Sequence, residues 1–147
     1  MFRSVTAVLL GVLIALVIGL LAVFGIVWPL FEVFLDPEMA GGTAWITVVL
    51  VFAAIFSFYF GGMATGYRAP NHRLVHGTLV APITFAISPI VNLATRGSAF
   101  PGVKSPGTLI LVLVFLCASV AAAYVGARRG EGLYDYNRSH LRRQRSR

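Results

Sequence analysis

Polarity along this chain changes on a long wavelength. Four runs, Val5–Trp28, Ala44–Gly66, Leu74–Leu93 and Leu109–Gly126, are almost wholly apolar, and shorter polar stretches separate them. An α-helix needs about 20 apolar residues to cross roughly 30 Å of hydrocarbon, and each run is of that order. The pattern predicts an all-α fold, an integral membrane four-helix bundle, with residues 1–130 forming the four-span domain and 131–147 a basic tail. Between the second and third runs lies Gly61–His76, reading GGMATGYRAPNHRLVH. Arg68 and Arg73 bracket it and Pro70 cannot continue a helix through it, so it is read as a tight turn.

Inside the runs, small residues recur every four positions. Gly11, Ala15 and Gly19 do so in the first, Gly62 and Gly66 in the second, and Ala118, Ala122 and Gly126 in the fourth. Such stripes let another backbone approach closely and are read as helix-packing faces. Phe52, Phe56, Phe58, Tyr59 and Phe60 of the second run are expected to face lipid or fill gaps beside the thin glycine face. The third run differs: Pro82 and Pro89 each remove a backbone donor and tend to kink a helix, and Thr84, Ser88 and Asn92 share one face. An unpaired hydroxyl or amide in hydrocarbon is costly, so that face is expected to point into the bundle. Two readings are open for it, structural glue between helices or the lining of a polar path, with His76 at the start of the run as a further polar-path candidate. His76 is otherwise an interfacial hydrogen-bonding residue.

Composition reinforces the membrane reading. The 147 residues are 58% hydrophobic and 12% charged, with a mean hydropathy of +0.84, more apolar than a single soluble core can hide. Charge then sets an orientation. Ten of the 12 basic residues precede the first run, occupy the second polar break or follow the fourth run, and only Arg96 and Lys104 lie elsewhere. By the positive-inside rule both termini are expected in the cytoplasm, the protein being a multi-pass one of the cell (inner or plasma) membrane. The first run is too long for a signal-peptide core and lacks an Ala-x-Ala-like cleavage site, so it is read as a retained span. Trp28 and Pro29 are expected to close it at the outer interface. The first outer loop carries Glu32, Asp36 and Glu38, a possible interfacial segment, and is expected to pair electrostatically with Arg96 and Lys104 of the second.

After Arg128 and Arg129, Gly130 is expected to end the last helix, leaving a tail with Arg138, Arg142, Arg143, Arg145 and Arg147. Anionic lipids of the cytoplasmic face are the expected partners of this tail, with Leu133, Tyr134 and Tyr136 inserted at the interface. Arg68, Arg73, Arg128, Arg129, Arg142 and Arg143 are the headgroup-contacting candidates, and nucleic acid is not the expected partner. A short repeat is visible: Gly61–Pro70 laid over Ala121–Gly130 matches Gly66 with Gly126 and Arg68 with Arg128. It points to two tandem helical hairpins in the same orientation.

The G-G-x-x-x-G-x-R sequence from Gly61, its short turn and the following His76-Gly77 resemble uncharacterised families of small four-span prokaryotic membrane proteins, over roughly Gly61–Ala81. The resemblance implies a four-helix membrane protein and brings no activity with it. No phosphate loop, zinc-protease motif or nucleophile elbow is present, and no Asp, Glu, Lys or Arg lies deep in a run. Cys117, the single cysteine, is expected to be a small packing residue. No cofactor or metal is expected, and the reading leans against an enzyme. The leading expectation is a structural or interaction role, as an accessory subunit of a membrane complex or a self-associating bundle. The alternative is a small oligomeric transporter or channel with a path along the third span.

Overall fold

A computed structural model describes residues 2–27, 42–98 and 105–145. The described residues are helical, with no strand among them, and contain four helices long and apolar enough to cross a membrane, Arg3–Ile26, Val48–Arg68, Arg73–Ala94 and Pro106–Leu141. In order, α1 covers Phe2–Ala22 and runs on as a π-helical turn over Val23–Val27; α2 is Gly42–Arg68, α3 Arg73–Thr78, α4 Val80–Arg96 and α5 Pro106–Arg145. Trp28, Pro29, the acidic loop and Lys104 lie outside the described residues, as does the side chain of Arg96, and with them the expected loop pairing.

The third span is α3 and α4 in succession, parted at Leu79. Proline explains the position of the break: Pro82 has no N–H to give the Thr78 carbonyl, and its ring crowds that carbonyl. The turns on either side still close, since Leu79 N donates to Val75 O at 3.1 Å and Ile83 N to Leu79 O at 3.1 Å. Pro89 lies inside α4, which runs through it without a break. Gly97 ends α4 with φ 67°, its N–H bonding back to Leu93 O. At its own start α5 is capped by Ser105, whose Oγ accepts from Thr108 N at 3.3 Å, with Pro106 as first helical residue.

At its far end α5 departs from the sequence expectation. Gly130 does not end it; the helix continues to Arg145, 40 residues in all. At 1.5 Å per residue this is about 60 Å of helix, twice the thickness of a hydrocarbon core. The physical reason is tertiary: Gly130 sits against the Met63 carbonyl and Tyr67 N of α2, so it serves contact within a helix instead of a helix stop.

Packing is organised by α2, which lies between α1 and α5. Toward α1 it runs antiparallel: Gly61 meets Gly11, Thr65 reaches Ala7 and Gly19 faces Ser57. Toward α5 it runs parallel, Gly62 meeting Ala123 and Gly66 meeting Ala127. Consequently Arg3, Arg68, Arg73, Arg128 and Arg129 gather at one end of the bundle. The core is built from Val8, Val12, Ala15, Phe58, Val80, Ala81 and Ala123. Large apolar side chains point the other way; Leu9, Leu13, Leu20, Phe52, Ile90, Ile110 and Leu111 are all exposed. Phe58, Phe85 and Phe115 form a short aromatic ladder linking α2, α4 and α5, with centroids 5.8 and 5.6 Å apart.

Candidate functional site

The α2–α5 contact brings backbone against backbone at four glycines, and it repeats itself. A Cβ on Gly62 would strike the Ala123 carbonyl, and one on Gly66 the Ala127 carbonyl. From the other side, a Cβ on Gly126 would strike the Tyr59 carbonyl, and one on Gly130 the Met63 carbonyl. Shifting the first pair of contacts by one constant interval along the chain, and exchanging the helices, gives the second pair. Two Gly-x-x-x-Gly motifs, Gly62/Gly66 and Gly126/Gly130, therefore face each other about a local pseudo-two-fold axis. In space Gly62 matches Gly126, one helical turn out of step with the sequence overlay that matched Gly66 with Gly126.

Of the expected packing residues, Gly11, Ala15, Gly62, Gly66 and Gly126 are buried and Gly19 is half-buried beside Ser57 Oγ. Ala118 and Ala122 are only half-buried, at the flank of the contact. The stripe of α5 that meets α2 is Ala123 and Ala127 with Gly126 and Gly130, all buried. Thr65, unremarked in the sequence, supplies the polar bond between α1 and α2: its Oγ1 lies 3.2 Å from Ala7 O and 3.0 Å from Gly61 O. Its hydroxyl also lies where a Cβ on Gly11 would go. Ser119 is fully buried and its Oγ has no hydrogen-bond partner among the described residues.

At the basic end, α5 is tied to its neighbours past the last glycine. The Arg73 guanidinium stacks on Tyr134, with Cζ 3.3 Å from the ring centroid. Tyr67 meets the same ring edge-on at 6.1 Å and 77°, and its Oη accepts from Asn137 Nδ2 at 3.2 Å. Tyr134 is thus half-buried between Arg73 and Tyr67, while Leu133 and Tyr136 are exposed. Beside this cluster an open cleft of about 370 Å³ is lined by Pro70–Val75 and Glu131. Arg68, Arg128, Arg129 and Arg143 are exposed on the helices and Arg73 is half-buried, its Nη1 without a hydrogen-bond partner among the described residues. Arg142 lies on α5, its side chain outside the described set. His76 is half-buried, with Nδ1 2.9 Å from the carbonyl of His72, a residue held at φ 46° in the turn.

The polar residues of the third span differ in their surroundings. Thr84 is half-buried and returns its hydroxyl to Val80 O at 2.8 Å; Asn92 is half-buried; Ser88 is exposed. Thr84 borders an opening of about 250 Å³ with Ala15, Gly19, Ala54, Ser57 and Phe58, and this opening is apolar, because Ser57 likewise bonds to its own helix at Ala53 O. A second apolar opening, of about 410 Å³, adjoins it through Gly19, Val23 and Ala54 and reaches Leu50 and Phe115. Cys117 is exposed. Among the described residues no group of His, Cys, Asp and Glu could hold a metal ion. No protein-family model, curated protein or solved structure matches the chain.

Proposed function

We propose that the chain is a four-span protein of the cell (inner or plasma) membrane, both termini cytoplasmic, with a structural or interaction role as an accessory subunit or a self-associating bundle. The observation that carries the membrane part is its inverted surface: glycine, alanine, serine and threonine, with a few valines and Phe58, meet inside, while most leucines and isoleucines and Phe24, Phe52 and Phe56 cover the outside. Water would penalise that surface as one continuous exposed apolar patch, whereas lipid tails do not. Gathering of Arg3, Arg68, Arg73, Arg128 and Arg129 at one end supports the orientation. A reporter fluorescent only in the cytoplasm, fused after Arg147, should be bright, and one fused between Gly97 and Ser105 dark. The reverse pattern would sink the topology.

Support for the interaction role is lateral. Among the described residues, apolar openings lie at Gly19, Val23 and Ala54, and Ser88 is exposed on the third span, where a neighbouring helix would cover its hydroxyl. Native mass spectrometry of mildly extracted protein should find a homo-oligomer or a stable heteromeric complex; a strict monomer with no partner argues against the role. The exposure of Ser88 also fits the alternative, a transporter or channel whose path along Thr84, Ser88 and Asn92 closes only between several copies. Replacing all three by alanine should then abolish solute flux in proteoliposomes; unchanged flux, or none in the unmodified protein, rejects it.

A further inference from the structure

The last third of α5 has more length than a span requires and a charge distribution of its own. Past Arg129, the helix carries Glu131 and Asp135 near its base and Arg138, Arg142, Arg143 and Arg145 toward its tip. Arg138, Arg142 and Arg145 are spaced at i, i+4 and i+7 along the sequence. Its first turns are not free to bend: Gly130 is locked against Met63, Tyr134 between Tyr67 and Arg73, and Asn137 onto Tyr67. The segment therefore prolongs the line of the fourth span. Taking Arg128 and Arg129 as the headgroup level, Arg138 stands about 13 Å and Arg145 about 24 Å beyond it along the axis. The screening length at physiological salt is about 8 Å, so the tip lies beyond the reach of the leaflet's charge.

We propose that this projecting end of α5 is a docking helix for an acidic protein surface, held clear of the anionic lipids by the Tyr67–Arg73–Tyr134–Asn137 brace. The proposal rests on the membrane reading above. It replaces the expectation of a tail lying on the leaflet, which would require α5 to bend where the brace holds it. Charge complementarity calls for an acidic partner. Leu133, Tyr136 and Leu141, exposed among the arginines, favour a protein over a nucleic acid, because apolar side chains gain little against a phosphate backbone and much against a protein groove.

The test uses the full chain in nanodiscs of phosphatidylcholine, with and without phosphatidylserine, and a labelled polyglutamate peptide as probe. The peptide should bind to within about twofold equally in the two lipids, and the quadruple variant R138Q/R142Q/R143Q/R145Q should weaken it by about tenfold or more. Tyr134→Ala releases the brace while keeping every arginine. It should leave binding intact in phosphatidylcholine and lower it where phosphatidylserine competes for the freed helix. Binding to the unmodified protein that collapses on adding phosphatidylserine would overturn the proposal, as would a Tyr134→Ala variant indifferent to lipid, or tighter binding of oligouridylate than of polyglutamate. Failure of the chain to enter nanodiscs at all would instead count against the membrane reading.

Discussion

Thr65 and Ser119 are both buried hydroxyls, and they stand in opposite situations. Thr65 bonds to two carbonyls, one of them on another helix; Ser119 Oγ has no partner among the described residues. Thr65→Val, which preserves shape, should cost about 1 kcal/mol in a denaturation assay in bilayers or micelles. Ser119→Ala removes an unsatisfied donor at almost no change in volume and should be neutral or stabilising by up to about 1 kcal/mol. Equal losses at the two positions would contradict this assignment. The glycines divide in the same manner. Gly130→Ala meets backbone at Met63, whereas Gly132 has nothing within 4 Å of a Cβ. Gly132→Ala should therefore stabilise α5 by about 1 kcal/mol through helix propensity alone, and Gly130→Ala should destabilise the bundle by more than that. Two residues apart in one helix, the same substitution is expected to change sign.

For the elements, length and hydropathy made the four spans legible, because a bilayer imposes one dimension on every crossing helix. The turn at Pro70, the start of the third span and its prolines could be read for the same local reasons. The contacting faces could not. Ala121, Ala122 and Ala123 stand in succession, so a small-residue stripe can be drawn down several sides of α5, and only the position of α2 selects Ala123 and Ala127. Gly130 misleads because glycine after two arginines carries the local signature of a helix end, while its contact with Met63 comes from a residue 67 positions earlier in the sequence. Tyr67, Tyr134 and Asn137 offered no periodic signal, and their association follows from the parallel register of α2 and α5. Pro82 is testable at this scale. Pro82→Ala restores a donor to the Thr78 carbonyl and should fuse α3 and α4 into one helix, stabilised by up to about 1 kcal/mol and visible as slowed amide exchange at Leu79 and Val80.

Taken whole, the molecule is a thin-cored bundle whose bulk faces outward. Its stability therefore depends on closeness of backbones more than on volume of side chains, and the costliest lesions should be additions. Gly62→Val or Gly126→Val should abolish the compact fold, read as loss of a sharp elution profile and of protease resistance in detergent. Gly25→Ala, at a position open to space, should leave both unchanged. Comparable tolerance at all three positions would mean that the α2–α5 contact does not hold the fold together.

The two sides of α2 also differ in when they can be satisfied. Its Gly61–Thr65 side meets α1, which is synthesised before it, so the first hairpin can close as soon as both helices exist. Its Gly62–Gly66 side has to wait for Ala123 and Ala127, the whole third span later. During that interval the smoothest strip of the chain lies open to any other helix in its vicinity. The partner that eventually covers it is a near-copy of itself, carried in by the second half of the same polypeptide, and the two halves of an unfinished pair of nascent chains could meet there first. Fusing the hairpins into one chain thus sets a race between closure within a molecule and exchange between molecules, in which the length of the third span decides how long the strip stays uncovered.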